Sequence, residues 1–244
     1  MAQFHFNGGK MNHIWKSVKG KYINEYTCEN AKKCFENTET IATLKVDGEC
    51  AAIIRHKVSV EKWEWLFYRR QDNYKGNDEN IPLPDGTQPA SFEKHNYSFV
   101  FVPKDLETGK GKRKSYPGRD TYIAIKNAVN TGGLPSANKS KADFITIEWV
   151  GKKHQLNRDD CHEDHGVVIH GDTIIDIPDR TFETLSEMAQ NTCIEGIVLI
   201  AENGERFKIR FNMFPNSKWN DKTYPTTYKP IIYTANNIEY SYLY

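Results

Sequence analysis

Two apolar, β-prone runs near the C-terminal end constrain the fold most: residues 194–201 (IEGIVLIA) and 205–211 (ERFKIRF), joined by Glu202-Asn203-Gly204. Asn-Gly supplies the positive-φ residues that a tight connection needs, so the pair predicts an antiparallel hairpin. In the second run alternation places Lys208 and Arg210 on one face of the strand and Ile209 on the other. Glu195 is a polar residue at the mouth of the first run, and Gly196 after it would let a ligand approach the backbone.

The rest of the chain follows the same reading. Residues 28–37 suit a short helix, with Asn37, Thr38 and Thr40 marking its break. The run 41–46 and its continuation 49–56 read as strands separated by Asp47-Gly48, the kind of dipeptide a tight turn or hairpin uses. Further strands are expected at 63–69, 99–102, 143–150, within 167–177 and near 229–234. A helix is expected over 120–130, with Tyr122, Ile123, Ile125 and Val129 on its apolar face. Asp179 is the candidate cap of another over 181–190. Residues 72–96 and 103–119 read as loops. Many strands and few helices, without regular βαβ alternation, predict an α+β domain built on antiparallel sheets.

Composition excludes several classes. Of 244 residues, 38% are apolar, enough for a core, and net charge is only +1, so a nucleic-acid surface would need local clustering of Lys and Arg. No apolar run is long enough to span a membrane, and the N-terminus lacks a signal-peptide core. Five scattered cysteines are not a disulfide scaffold, which leads to the expectation of an intracellular protein, cytoplasmic or nuclear and not secreted. Residues 131–140 (TGGLPSANKS) do not have P-loop spacing. Cys161-His162-Glu163-Asp164-His165 lacks the second ligand pair that zinc normally takes. Cys50, beside Gly48, reads as a small core residue.

The residues able to do chemistry stand at strand edges. Lys45 ends an apolar strand just before Asp47-Gly48, where a strand end can deliver an amine to a cleft on rigid support. A reactive lysine needs desolvation or neighbouring cations, which Lys208 and Arg210 could supply. Glu148 interrupts the apolar strand 143–150 ahead of Gly151. Both Glu148 and Glu195 could accept hydrogen bonds from ribose hydroxyls or hold Mg²⁺ through water. The cluster of six basic and two acidic residues in 103–119 could track RNA phosphates or simply be a solvated loop.

In order along the chain these groups resemble a known set. Lys45-Val46-Asp47-Gly48 resembles motif I of the covalent nucleotidyltransferases, the superfamily of ATP-dependent DNA ligases, RNA ligases and GTP-dependent capping enzymes. Arg70 resembles the arginine of the motif that follows. Glu148-Trp149-Val150-Gly151 resembles motif III, Glu195-Gly196-Ile197-Val198 motif IV, and Lys208-Ile209-Arg210 motif V. His170-Gly171 matches a pair recurring between motifs III and IV in the compact 5′-to-3′ RNA ligases of animals, fungi and large viruses, to which the chain is most similar.

The resemblance implies a single adenylyltransferase domain over 1–244, nucleotidyltransferase-like (ATP-grasp-like), with antiparallel sheets flanked by helices. Its motif core is 40–212, with 213–244 an extension packed on it. The 34 residues after Arg210 are too few for the OB domain of DNA ligases and capping enzymes, which favours RNA ligase. It implies ATP and Mg²⁺ (or Mn²⁺) as cofactors, with AMP carried covalently on Lys45. RNA with 5′-phosphate and 3′-hydroxyl ends would be the partner, with no membrane and no oligomer required. Lys45 and Lys208 would be catalytic; Arg70, Glu148, His170, Glu195, Lys208 and Arg210 would bind the nucleotide; Glu195 would also reach the metal through water. The adenine would stack on Trp149, Phe144 or a residue near His170, and Asp47 could simply shape the turn.

Overall fold

The computed structural model describes residues 11–72, 91–92, 97–102, 118–154, 161–177, 179–219, 221, 228–236 and 238–239. From the N-terminus come β1 (Asn12–His13), β2 (Trp15–Val18), β3 (Lys21–Tyr26), α1 (Glu29–Glu36), β4 (Ile41–Lys45) and β5 (Glu49–Lys57). Next are β6 (Trp63–Asp72), β7 (Ser91–Phe92), β8 (Tyr97–Phe101), α2 (Gly118–Asn130), β9 (Phe144–Val150) and β10 (Gly166–Ile169). The chain continues with α3 (Phe182–Asn191), β11 (Gly196–Ile200), β12 (Arg206–Arg210), a 3₁₀ turn (Phe211–Met213), β13 (Ile232–Thr234) and β14 (Ile238–Glu239). The architecture is α+β, with antiparallel sheets and few helices; β1 and β12 pair in parallel. Among the described residues no helix is long and apolar enough to cross a membrane.

The chain divides into two compact units, each discontinuous in sequence. Unit 1 takes residues 1–46, 171–230 and 240–244, and unit 2 takes 47–170 and 231–239. Unit 1 holds a four-stranded sheet in the order β1-β12-β11-β4 and the β2-β3 hairpin. The predicted 194–211 hairpin forms here as β11 and β12, with Ile197 opposite Ile209 and Val198 opposite Lys208. One face of this sheet is apolar: Ala42, Leu44, Ile197, Leu199, Phe207 and Ile209 are buried. Trp15 anchors a second cluster, its ring 4.9 Å from that of Phe35 and 5.0 Å from that of Phe182. Burying such large rings removes much apolar surface from water and stabilises the unit. Arg180 donates to the carbonyls of Phe35, Asn37 and Thr40, which satisfies the end of α1 and the loop leading to β4. The cap of α3 is Thr181, whose Oγ1 accepts from Thr184 N–H at 3.1 Å, and not Asp179. A cap must directly precede the first turn to reach its free N–H groups, and Asp179 lies too far upstream.

Unit 2 is an eight-stranded sheet, β14-β13-β10-β9-β5-β6-β8-β7, with α2 packed on one face. Ala51, Ile53, Phe67, Ile147, Trp149, Val167 and Ile169 point into that core, where they meet Ala124, Ile125 and Ala128 of α2. Tyr122 and Val129 pack at its margin, whereas Ile123 is not part of the core; all three line one surface groove. The Tyr122 hydroxyl donates to Val102 O and accepts from Phe67 N–H, which pins α2 to the sheet.

One turn expectation is corrected. Asp47-Gly48 does not close a hairpin, because β4 pairs with β11 in unit 1 while β5 pairs with β6 and β9 in unit 2. The chain leaves one unit for the other between Val46 and Asp47. Residues 167–177 are a strand only to Ile169; Gly171 at φ +97° then turns the chain, and Ile174 makes a single bridge to Thr43. Within the loop expected at 72–96, residues 91–92 form β7; the remainder after Asp72, and 103–117 of the basic segment, lie outside the described residues.

Candidate active site

The polar face of the unit 1 sheet carries Lys45, Lys208 and Arg210. Register places Lys45 opposite Gly196 and Gly196 opposite Arg210, so the three form one row across the sheet. Two residues along, Thr43, Val198, Lys208 and His13 form the next row on the same face. Alternation along β12 follows the sequence reading, with Phe207 and Ile209 fully buried and Lys208 and Arg210 only half-buried. Gly196 has no side chain, so no protein group of that row stands between Lys45 and Arg210.

Glu195 organises this row. Its carboxylate is 4% exposed and takes Lys45 Nζ on Oε2 at 2.5 Å and Arg210 Nη2 on Oε1 at 3.5 Å. A carboxylate so buried needs compensating charge on its oxygens, and here each oxygen has a cation. Arg210 also keeps a buried Nε–H for which no acceptor is present among the described residues. An unmet donor of this kind costs free energy until a ligand or a rearrangement satisfies it. The glycine after Glu195 is required by packing. At Gly196, φ is +152° and a Cβ would lie 1.9 Å from Ile209 O, so the adjacent strand's backbone excludes any side chain.

Unit 2 presents a second carboxylate. Glu148 lies on the face of β9 opposite the α2 core, is 8% exposed, and accepts from Gly48 N–H on Oε1 at 3.1 Å. Its Oε2 pairs with His170 Nε2 at 2.8 Å, joining two of the predicted residues. Gly48 is required by closeness and not by a left-handed turn: a Cβ there would meet Glu148 Cγ and Trp149 O, both at 2.7 Å. Cys50 sits opposite Glu148 and is half-buried, not a core residue. Arg70, on β6, is half-buried, and the β5–β6 register, continued by one residue, sets it across from Cys50 on the Glu148 face.

Trp149 is removed as an adenine platform. Its side chain is fully buried in the unit 2 core, 5.2 Å from Phe67 and 4.1 Å from His154 between ring centres. Phe144 stays half-buried at the start of β9. The Cys161–His165 segment forms no metal cluster among the described residues. His165 instead pairs through Nδ1 with His154 Nε2 at 2.8 Å, and His154 Nδ1 lies 3.3 Å from Glu49 Oε1. Burial, reinforced by His154, lowers the His165 pKa to about 4.

Two further titratable groups were not visible in the sequence, and one of them, His13, lies on this sheet face. His13 sits in a two-residue strand too short to show periodicity, and its neighbours Lys208 and Arg210 are almost two hundred positions away. Asp172 is pushed up to about 6 by burial, and its Oδ2 is buried with no hydrogen-bond partner among the described residues. Nothing in its local sequence marks it. Searched against protein-family models and against curated proteins, the chain matches none of them.

Proposed function

We propose that the chain is an ATP-dependent RNA ligase of the covalent nucleotidyltransferase type. The observation that carries this is the Lys45 amine at the end of β4, held on buried Glu195 with Arg210 on the other oxygen and Lys208 on the same sheet face. In the first step Lys45 Nζ attacks the α-phosphorus of ATP. A nitrogen–phosphorus bond forms, the bond to pyrophosphate breaks, and AMP stays on the lysine. An amine attacks only after losing its proton, and Glu195 Oε2, 2.5 Å away, is placed to take it. Lys208 and Arg210 oppose the negative charge that builds on the phosphoryl group. AMP then passes to an RNA 5′-phosphate, and an RNA 3′-hydroxyl displaces it to leave a phosphodiester.

In unit 2, Glu148 is held by a backbone N–H and by His170, an arrangement suited to a ribose hydroxyl, and Arg70 is the phosphate-side cation that the motif resemblance implies. Mg²⁺ is commonly held by one or two carboxylates together with substrate phosphates and water. Glu195 fits that pattern through water, because each of its oxygens already meets a cation. The metal, Mg²⁺ or Mn²⁺, would supply further neutralisation of the phosphates.

Incubation with α-³²P-ATP and a denaturing gel tests the reading. Label is expected on the wild-type chain and absent from Lys45→Ala, with the same far-UV spectrum for both. Label persisting in Lys45→Ala would move the nucleophile elsewhere. Label from α-³²P-GTP in place of ATP would favour a capping guanylyltransferase, sealing of nicked DNA but not RNA a DNA ligase, and no label from either a non-catalytic nucleic-acid-binding module.

A further inference from the structure

The polar face of the unit 1 sheet carries one group that the proposed chemistry leaves unused. His13 lies in register with Lys208 across the parallel β1–β12 pair, so its half-buried imidazole shares the face of Lys45, Lys208 and Arg210. Its hydrogen-bonding state follows from its neighbours. Tyr22 Oη accepts the backbone N–H of Arg210 at 3.0 Å and lies 2.5 Å from His13 Nδ1. Among the described residues the Tyr22 hydroxyl hydrogen has no other acceptor, so Tyr22 donates to Nδ1. That assigns the remaining proton of the neutral ring to Nε2. Burial first, then Lys208, Arg210 and Lys45, lowers the pKa of His13 to about 4, so the ring is neutral at pH 7. A neutral imidazole among three cations adds no charge to the face. What it offers is a directed N–H, and no described protein group accepts it.

We propose that His13 is a substrate-binding residue whose Nε2–H donates to a phosphate oxygen of the nucleotide taken up on the Lys45–Lys208–Arg210 face, with Tyr22 holding it in the required tautomer. This rests on the nucleotide reading of that face. A neutral donor fixes the direction of one phosphate oxygen, whereas the flexible cations beside it mainly attract. Tyr22 links the donor to β12 itself, because its hydroxyl is bonded to the backbone of Arg210.

Calorimetric titration of the full chain with Mg–ATP, with inorganic tripolyphosphate and with a 5′-phosphorylated oligoribonucleotide separates the possibilities. His13→Ala is expected to weaken ATP and tripolyphosphate by about tenfold or more, as for loss of a hydrogen bond to a charged group, with RNA affinity unchanged. His13→Gln, whose side-chain amide can replace the Nε2–H, is expected to recover most of that loss. Tyr22→Phe should fall between. The proposal is overturned if folded His13→Ala binds ATP like wild type, if His13→Gln loses as much as His13→Ala, or if only the RNA arm weakens. Should the wild type bind Mg–ATP tightly yet form no lysine adduct, the ligase reading falls while the ratio between His13 variants still supports this one. A wild type that binds neither ATP nor tripolyphosphate sinks both.

Discussion

Glu195 in unit 1 and Glu148 in unit 2 are both nearly buried carboxylates next to a glycine that admits no side chain, yet their oxygens meet opposite kinds of partner. Glu195 divides its oxygens between two cations, Lys45 and Arg210. Glu148 divides its own between a backbone N–H and an imidazole. The first arrangement gathers an amine and a guanidinium on one carboxylate; the second holds an acceptor in one orientation. The same residue type serves as a charge node in one unit and as a hydrogen-bond template in the other, and only its neighbours decide which.

The two glycines give the largest expected difference. Gly196→Ala places a Cβ 1.9 Å from Ile209 O at φ +152°, so strain and overlap add, and a loss of about 4 kcal/mol is expected. Gly48→Ala meets a movable Glu148 Cγ as well as Trp149 O, both at 2.7 Å, and is expected to lose about 2 kcal/mol. Urea unfolding measures both; equal losses would break the distinction drawn from the deeper overlap and the positive φ at Gly196.

Next come the carboxylates. Glu195→Gln leaves Lys45 and Arg210 against a neutral amide and is expected to cost about 2 kcal/mol, below the value for a fully buried pair because Arg210 is 39% exposed. Glu148→Gln keeps an acceptor for Gly48 N–H and should cost about 1 kcal/mol. In adenylylation assays the first is expected to lower kcat and the second to raise the KM for ATP. The reverse pattern would exchange the two roles.

The smallest effect is in pH, and each unit carries one histidine that reports it. His13 and His165 both have folded pKa values of about 4, below the ordinary 6.5, so the unfolded chain binds more protons between those limits. Their contribution to stability is present above pH 6.5 and is lost as pH falls toward 4. His165→Gln should flatten the fall in unfolding free energy between pH 7 and pH 5, by an amount on the order of 1 kcal/mol at the lower end. An unchanged slope would show that His165 is not held neutral by its burial and His154.

Much of the fold was legible where alternation is local. The β11–β12 hairpin, the face shared by Lys208 and Arg210, and helices close to α1, α2 and α3 follow from patterns within a dozen residues. What failed were residues whose role depends on a distant backbone. Asp47-Gly48 has the composition of a turn, but Gly48 is small because Glu148 and Trp149 crowd it from β9. Trp149 has the chemistry of a base platform, but the unit 2 core buries it completely. At Gly196, Ile209 O passes too close for a Cβ, a constraint that no local pattern shows.

The sequence by itself determined the class of architecture, the strand that ends in Lys45, and the cations spaced to share one face, because period-two alternation needs no partner to be read. It also carried the ordered set of motifs from which the ligase reading comes. Only the tertiary structure decided that Lys45 pairs with Glu195, that His170 pairs with Glu148, and that His13 joins the cation face through Tyr22. Those pairings are set by strand order and register, which bring together side chains separated by up to about two hundred positions. No local pattern encodes that choice, because it is made by the burial of the opposite, apolar faces of the two sheets.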